Sequence, residues 1–186
     1  MTGAAVDPRV ARSQRAILEA TLAELGEVGY GAMTIESIAA RANVGKATVY
    51  RHWSGKLQLI ESALEALKHD IEVPEDGAAR ERITVFLRGL AEHVGQSMLA
   101  ACLPALVSAA EYDPAVAEFK RRFAQARRQQ LVEIVSAGIA AGEIADQHDA
   151  AFVAELLVSP IFFRRLISKE PLGPDHVDAV VDAILG

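Results

Sequence analysis

The segment TIESIAARANVGKATVYRHWSGK, residues 34–56, decides how this chain folds. Ile35, Ile38, Ala39 and Ala42 recur at helical spacing and share one face of a short helix. Thr34 is a good N-cap, and Glu36 places negative charge in the first turn, where the helix dipole favours it. Asn43 falls where the chain must turn, and asparagine tolerates the left-handed backbone that ends helices, second only to glycine. Gly45 serves as a modest N-cap for a second helix over residues 46–53. Val49 and Trp53, four apart, pack inward. Lys46, Ala47, Thr48, Tyr50, Arg51 and His52 cover the remaining faces with hydroxyls, cations and one small residue. That is the equipment of a helix that enters the major groove of DNA.

The segment resembles the DNA-binding domain of the TetR family of bacterial transcriptional regulators. The family pattern runs loosely T-x-x-x-I-A-x-x-A-G-V-S-x-G-T-L-Y-x-H-F-x-S-K-x-x-L. Thr34, Ile38, Ala39, Ala42, Val44, Thr48, Tyr50, His52 and Lys56 stand in register, followed by Leu59. Asn43 replaces Gly, Gly45 replaces Ser, Ala47 replaces Gly and Trp53 replaces Phe. Each suits its place as turn, cap, close approach or core, although Gly45 lacks the hydroxyl that would cap or touch phosphate. The likeness reaches back to Ile17, Leu18, Leu22 and Leu25, the apolar stripe of a first helix ending at Gly29-Tyr30.

The resemblance implies an all-α chain: an N-terminal helix-turn-helix DNA-binding domain, then a C-terminal helical ligand-binding and dimerisation domain. It implies DNA contacts from Thr34, Gly45, Lys46, Ala47, Thr48, Tyr50, Arg51, His52 and Lys56. Lys46 is the best base reader, since lysine donates to guanine N7 and O6. Tyr50 is expected on phosphate or a thymine methyl, with packing at the domain edge as the alternative, Lys56 on phosphate, and Arg51 on phosphate or in solvent.

Charge supports this division. The 186 residues carry a net −6, which argues against general nucleic-acid binding, but residues 9–56 hold seven cations against four acids. A basic head on an acidic body is the footprint of a local phosphate contact. Cys102 is the single cysteine, so no disulfide forms within the chain. It reads as a small buried hydrophobe, in keeping with a reducing cytoplasm. No apolar run approaches the roughly 18 residues that span a bilayer. The N-terminus has no apolar h-region and is expected to be a short floppy arm carrying Arg9, Arg12 and Arg15.

The remainder reads as helices. Residues 1–8 are expected as a flexible arm, 9–56 as the head, 57–70 as a connecting helix and 71–186 as the effector-binding and dimerisation domain. Leu57, Ile60, Leu64 and Leu67 line the helix from Lys56 to Lys68, and the break at residues 72–77 marks the boundary. Ile83, Phe86, Leu87, Leu90, Val94 and Met98 follow the helical period. Pro104 interrupts a short helix near its start. Asp113-Pro114 restarts the chain as N-cap and first helical proline, and the long helix ends near Gly142. Asp149 caps the next helix, which Pro160 should kink. Gly173-Pro174 opens the last.

The body is expected to hold a pocket for a small hydrophobic effector, with Phe86, Leu90, His93, Met98, Leu106, Phe119, Phe123, Phe152 and Leu156 as its candidate lining. Phe162, Phe163, Leu166, Val177, Val180, Val181 and Ile184 supply either a two-fold dimer seam or the chain's own core, and the resemblance favours the seam. The expected partners are a double-stranded DNA operator, the effector and a second copy of the chain, without a membrane. No Ser-His-acid set, phosphate loop or paired-cysteine metal site stands out, so neither catalysis, cofactor nor metal is expected. The expected function is a ligand-responsive regulator, a repressor that binds a palindromic operator as a dimer. The alternatives are a helical protein–protein interaction module and, behind it, a small helical enzyme.

Overall fold

The computed structural model describes residues 8–67 and 71–186, and every regular element among them is helical. They are α1 (Pro8–Ala32), α2 (Ile35–Arg41), α3 (Lys46–Tyr50), α4 (Lys56–Ala66), α5 (Ala79–Gln96), α6 (Met98–Ala110), α7 (Pro114–Ala140), α8 (Ala150–Phe163) and α9 (Pro174–Leu185), with a π-helical turn (Arg164–Ser168) between the last two. The chain divides into two compact units. One joins the N-terminal helices through α4 with residues 101–120, and the other holds the rest of the described chain.

In the first unit α1 packs on α2 and α4, and α2 on α3. Ile17, Leu25, Ile38, Val49, Leu59, Ile60 and Leu64 are fully buried there. The helix starts at Pro8, since proline is pre-organised for a first helical position. Arg9, Arg12 and Arg15 therefore lie on ordered helix, not on a floppy arm; residues 1–7 of the expected arm fall outside the described residues. Regular helix breaks at Gly29, whose φ of 78° suits glycine. Cys102 of α6 is buried against α1 and donates its thiol to the Leu22 carbonyl at 3.3 Å. The inward face of α4 is Leu59, Ile60, Ala63 and Leu64, with Leu57 and Leu67 only half-buried.

In the second unit α5, α8 and α9 pack on one another. Their core includes Ile83, Phe86, Leu87, Val94, Leu131, Val135, Val153, Leu157, Ile161, Val177, Val180 and Val181. Gly138 on α7 is required by closeness: a Cβ there would lie 2.6 Å from that of Ala79 and 2.7 Å from Ile144 Cδ1. Asp149 caps α8 by accepting the Phe152 amide at 2.9 Å. Pro160 sits inside α8, and the helix widens into the π-turn only four residues later. Arg165 on that turn ties it to the helices before it. Its Nε donates to the Val94 carbonyl at 2.8 Å, and a terminal nitrogen donates to the carbonyl of Ala100. Pro104 lies in the middle of α6, not near its start.

Candidate nucleic-acid interface

The two short helices are set by local rules. Thr34 caps α2: its hydroxyl accepts the Ser37 amide at 3.0 Å, and Ser37 returns the bond to the Thr34 amide. That reciprocal pair satisfies two of the donors a helix start leaves open. Asn43 takes φ 53°, the left-handed turn between α2 and α3. Gly45 starts α3 without a side-chain cap. The helix proper ends at Tyr50, shorter than residues 46–53, because Arg51 and His52 already form the turn that seats Trp53. Val49 is fully buried, and Trp53, 7% exposed, donates its indole N–H to Ser62 at 2.9 Å. Trp53 thereby ties the turn after α3 to α4.

What faces outward is the remaining surface of α3. Gly45, Lys46, Ala47, Tyr50 and Arg51 are exposed, and Thr48 is half-buried. Among the described residues, nothing beyond its own chain neighbours lies within 4 Å of a Cβ built on Gly45, so the start of α3 is open to an approaching backbone. Ala47 adds no bulk two residues on. The tyrosine ring of Tyr50 stands 54% exposed beside them.

Four cross-contacts arrange the charge around this surface, and sequence reasoning found none of them. Lys46 is ion-paired with Glu36 across the turn. That hydrogen bond holds the Glu36 carboxyl below the usual glutamate range and the Lys46 ammonium above its own. Arg41 is held twice from α1, by Glu24 at 3.0 Å and by Glu27 at 2.9 Å. Glu24 is thereby a buried acid with its partner in place. Lys56 donates to the main-chain carbonyl of Tyr30 at 2.7 Å and lies 4.1 Å above that ring. The fourth contact places the Gln14 amide nitrogen 3.4 Å from Nδ1 of His52, so α1 flanks the C-terminal end of α3. Three of the four depend on how α1 lies across α2 to α4, and the Glu36–Lys46 pair on the angle between α2 and α3, which no local spacing encodes.

Tyr30 extends one of these contacts. Its hydroxyl donates to Asp113 Oδ2 at 3.2 Å, while Oδ1 of the same carboxylate caps α7 by accepting the Ala115 and Val116 amides at 2.9 and 3.4 Å. Burial first, then the Asp113 charge and this bond, push the Tyr30 hydroxyl above its usual range.

The expected effector lining is only partly inward. Phe86 belongs to the core of the second unit, and Leu106 and Phe119 are buried in the first. Leu90, His93 and Phe123 are half-buried; His93 Nδ1 lies 2.8 Å from the Gly89 carbonyl, and Arg127 stacks on the Phe123 ring. Met98, Phe152 and Leu156 are 43%, 43% and 38% exposed. The expected seam is divided in the same way. Val177, Val180 and Val181 close the chain's own core, which leaves them no surface to offer a second copy. Phe162, Leu166 and Ile184 are half-buried, and Phe163 is 56% exposed. The physical reason is one helix. In α8, AAFVAELLVSPIFF, apolar residues run round every side, so periodicity does not say which face turns inward. Val153, Ala154, Leu157 and Ile161 turn inward, while Phe152, Leu156 and Phe163 are left outside with Ile167 of the π-turn, 69% exposed. An open groove of about 510 Å³ lies beside them, lined by Ser159, Pro160, Phe163, Arg164, Glu170 and His176. Among the described residues no three metal-ligating side chains gather, and no single helix is long and apolar enough to cross a membrane.

Comparison with known proteins agrees with this geometry. The profile of bacterial regulatory proteins of the tetR family matches residues 17–63, and that of the tetracyclin repressor-like C-terminal domain matches residues 73–184. The uncharacterized HTH-type transcriptional regulator YdeS of Bacillus subtilis (strain 168) is 34% identical over 182 residues, covering 96% of this chain and 91% of YdeS. Two crystal structures share the fold at lower identity. A TetR-family transcriptional regulator from Rhodococcus sp. superposes with a TM-score of 0.79 at 20% identity, over 94% of this chain and 99% of the other. The transcriptional regulator FadR from Bacillus subtilis, in complex with stearoyl-CoA, gives 0.76 at 19% identity, over 92% and 97%.

Proposed function

The chain belongs to the TetR family of bacterial transcriptional regulators, and from that membership we propose that it is a cytoplasmic repressor, which binds a two-fold symmetric operator as a homodimer and lets go when a small hydrophobic effector binds. The observation that carries the DNA reading is the exposed face of α3, open at Gly45 and Ala47 and bearing Lys46, Thr48, Tyr50 and Arg51. Two such helices, one from each copy, would enter successive major grooves about one helical turn apart. The outward apolar face of α8, Phe152, Leu156 and Phe163, supports self-association, since a helix apolar on all sides asks for cover on both.

The effector acts by population shift: it binds better to the dimer whose two recognition helices no longer match the groove spacing. The stearoyl-CoA held by FadR makes a long-chain acyl-CoA the first compound to try. Selection of bound sequences from a random DNA pool tests the proposal. A two-fold symmetric consensus bound by a dimer in sedimentation is the expected result. No enrichment, or an asymmetric site bound by a monomer, overturns it. Effector action is read separately, as release of that operator with a raised melting temperature.

A further inference from the structure

We infer that Arg12 and Arg15 on α1, together with Arg51, form a phosphate-binding surface outside the helix-turn-helix, which supplies much of the affinity for DNA while α3 supplies the choice of sequence; this rests on the DNA reading above.

The argument begins with where the head's cations are spent. Arg41 is held by two carboxylates, Lys46 by one, and Lys56 by a main-chain carbonyl and a ring. A cation already paired must give up its partner to meet a phosphate, so it gains less and releases fewer net counterions. Arg12, Arg15 and Arg51 are exposed and have no carboxylate partner among the described residues. The uncompensated positive charge of the head therefore lies at the N-terminal turns of α1 and the end of α3, not on the lysines that the motif singles out.

Two features bring these arginines into one surface. Arg12 and Arg15 are three apart on continuous helix, hence neighbours on its exposed side. The Gln14–His52 contact holds this part of α1 against the residue that follows Arg51. Guanidinium groups suit phosphate, because their donors form a planar fork that grips two oxygens at once. Contacts of this kind set position and strength without reading bases. DNA beyond the bases read by α3 would lie against α1, so flanking duplex should matter even when its sequence does not.

The test uses the whole protein, the selected operator with long and with trimmed flanks, and a duplex of mixed sequence. In Arg12→Ala/Arg15→Ala the expected result is a salt dependence of binding shallower by about 2 for each protomer, equally on operator and mixed duplex. The base preferences should stay as they were. The wild type should lose affinity when the flanks are trimmed, and the variant should not. Arg12→Lys/Arg15→Lys should restore most of the slope, and thermal unfolding of both variants should match the wild type. An unchanged slope with flank-independent binding by the wild type overturns the inference and leaves these arginines a solvated face. A change in base preference overturns it as well. Failure of the wild type to bind any duplex sinks the DNA reading itself, whereas an unchanged slope in a wild type that does bind sinks this inference alone.

Discussion

The ammonium of Lys56 donates to the carbonyl oxygen of Tyr30 at 2.7 Å and lies 4.1 Å above the centre of the same residue's ring. One side chain thus joins the start of α4 to the end of α1 through a charge-assisted hydrogen bond and a cation–π contact. Removing it should show first in stability. Lys56→Ala is expected to cost about 1–3 kcal/mol in chemical denaturation, with the salt dependence of DNA binding unchanged. The opposite pattern, full stability with a slope lower by about 1, would return Lys56 to the phosphates.

The Glu36–Lys46 ion pair makes a different forecast. Glu36→Gln removes a negative charge from the reading surface and frees Lys46, so binding to mixed-sequence DNA should strengthen more than binding to the operator. Lys46→Ala should relax the choice at one base pair by roughly 10- to 100-fold. Because Lys46 lowers the Glu36 pKa, the pair persists when acid is added through the ordinary glutamate range and parts only below it. If Lys46→Ala weakens every sequence alike, Lys46 touches phosphate instead.

Adjacent leucines on α8 separate core from seam. Leu157 is fully buried, and Leu156 is 38% exposed. Leu157→Ala should cost about 2–5 kcal/mol. Leu156→Asp should leave the helical circular dichroism signal intact and shift sedimentation toward monomer. A Leu156→Asp protein that remains a dimer at low micromolar concentration rules this face out of the interface.

Cys102 should be inert while the protein is folded. Burial pushes its thiol up to about 11, so the reactive thiolate is scarce at neutral pH. Alkylation at pH 8 is expected only after denaturant is added. Labelling of the native protein at the rate of a free thiol would contradict both its burial and its protonation.

Most helix limits were legible because they rest on nearby residues. Thr34, Asn43, Asp113-Pro114, Asp149 and Gly173-Pro174 mark starts and turns by their own side-chain chemistry, and the structure uses them so. The inward face of α5 was legible at Ile83, Phe86, Leu87 and Val94, although Leu90 is only half-buried and Met98 falls in α6. The orientation of α8 was not, because a helix apolar on every side carries no phase. The state of the head's cations was equally hidden. Arg41 meets Glu24 and Glu27 only because α1 crosses α2, a matter of packing that no spacing of charges announces.

The Asp113 carboxylate has two oxygens and two employers, the amides that open α7 and the hydroxyl of Tyr30, 83 positions earlier in the chain. Replacing Asp113 by alanine removes both bonds at once. The end of α1 and the beginning of α7 therefore share one carboxylate, while Lys56 holds the Tyr30 end a second time. Where a separate cap and a separate tie would let the two ends fray independently, one carboxylate couples their opening. Hydrogen exchange should register that coupling as a joint loss of protection at both ends when Asp113 is replaced by alanine.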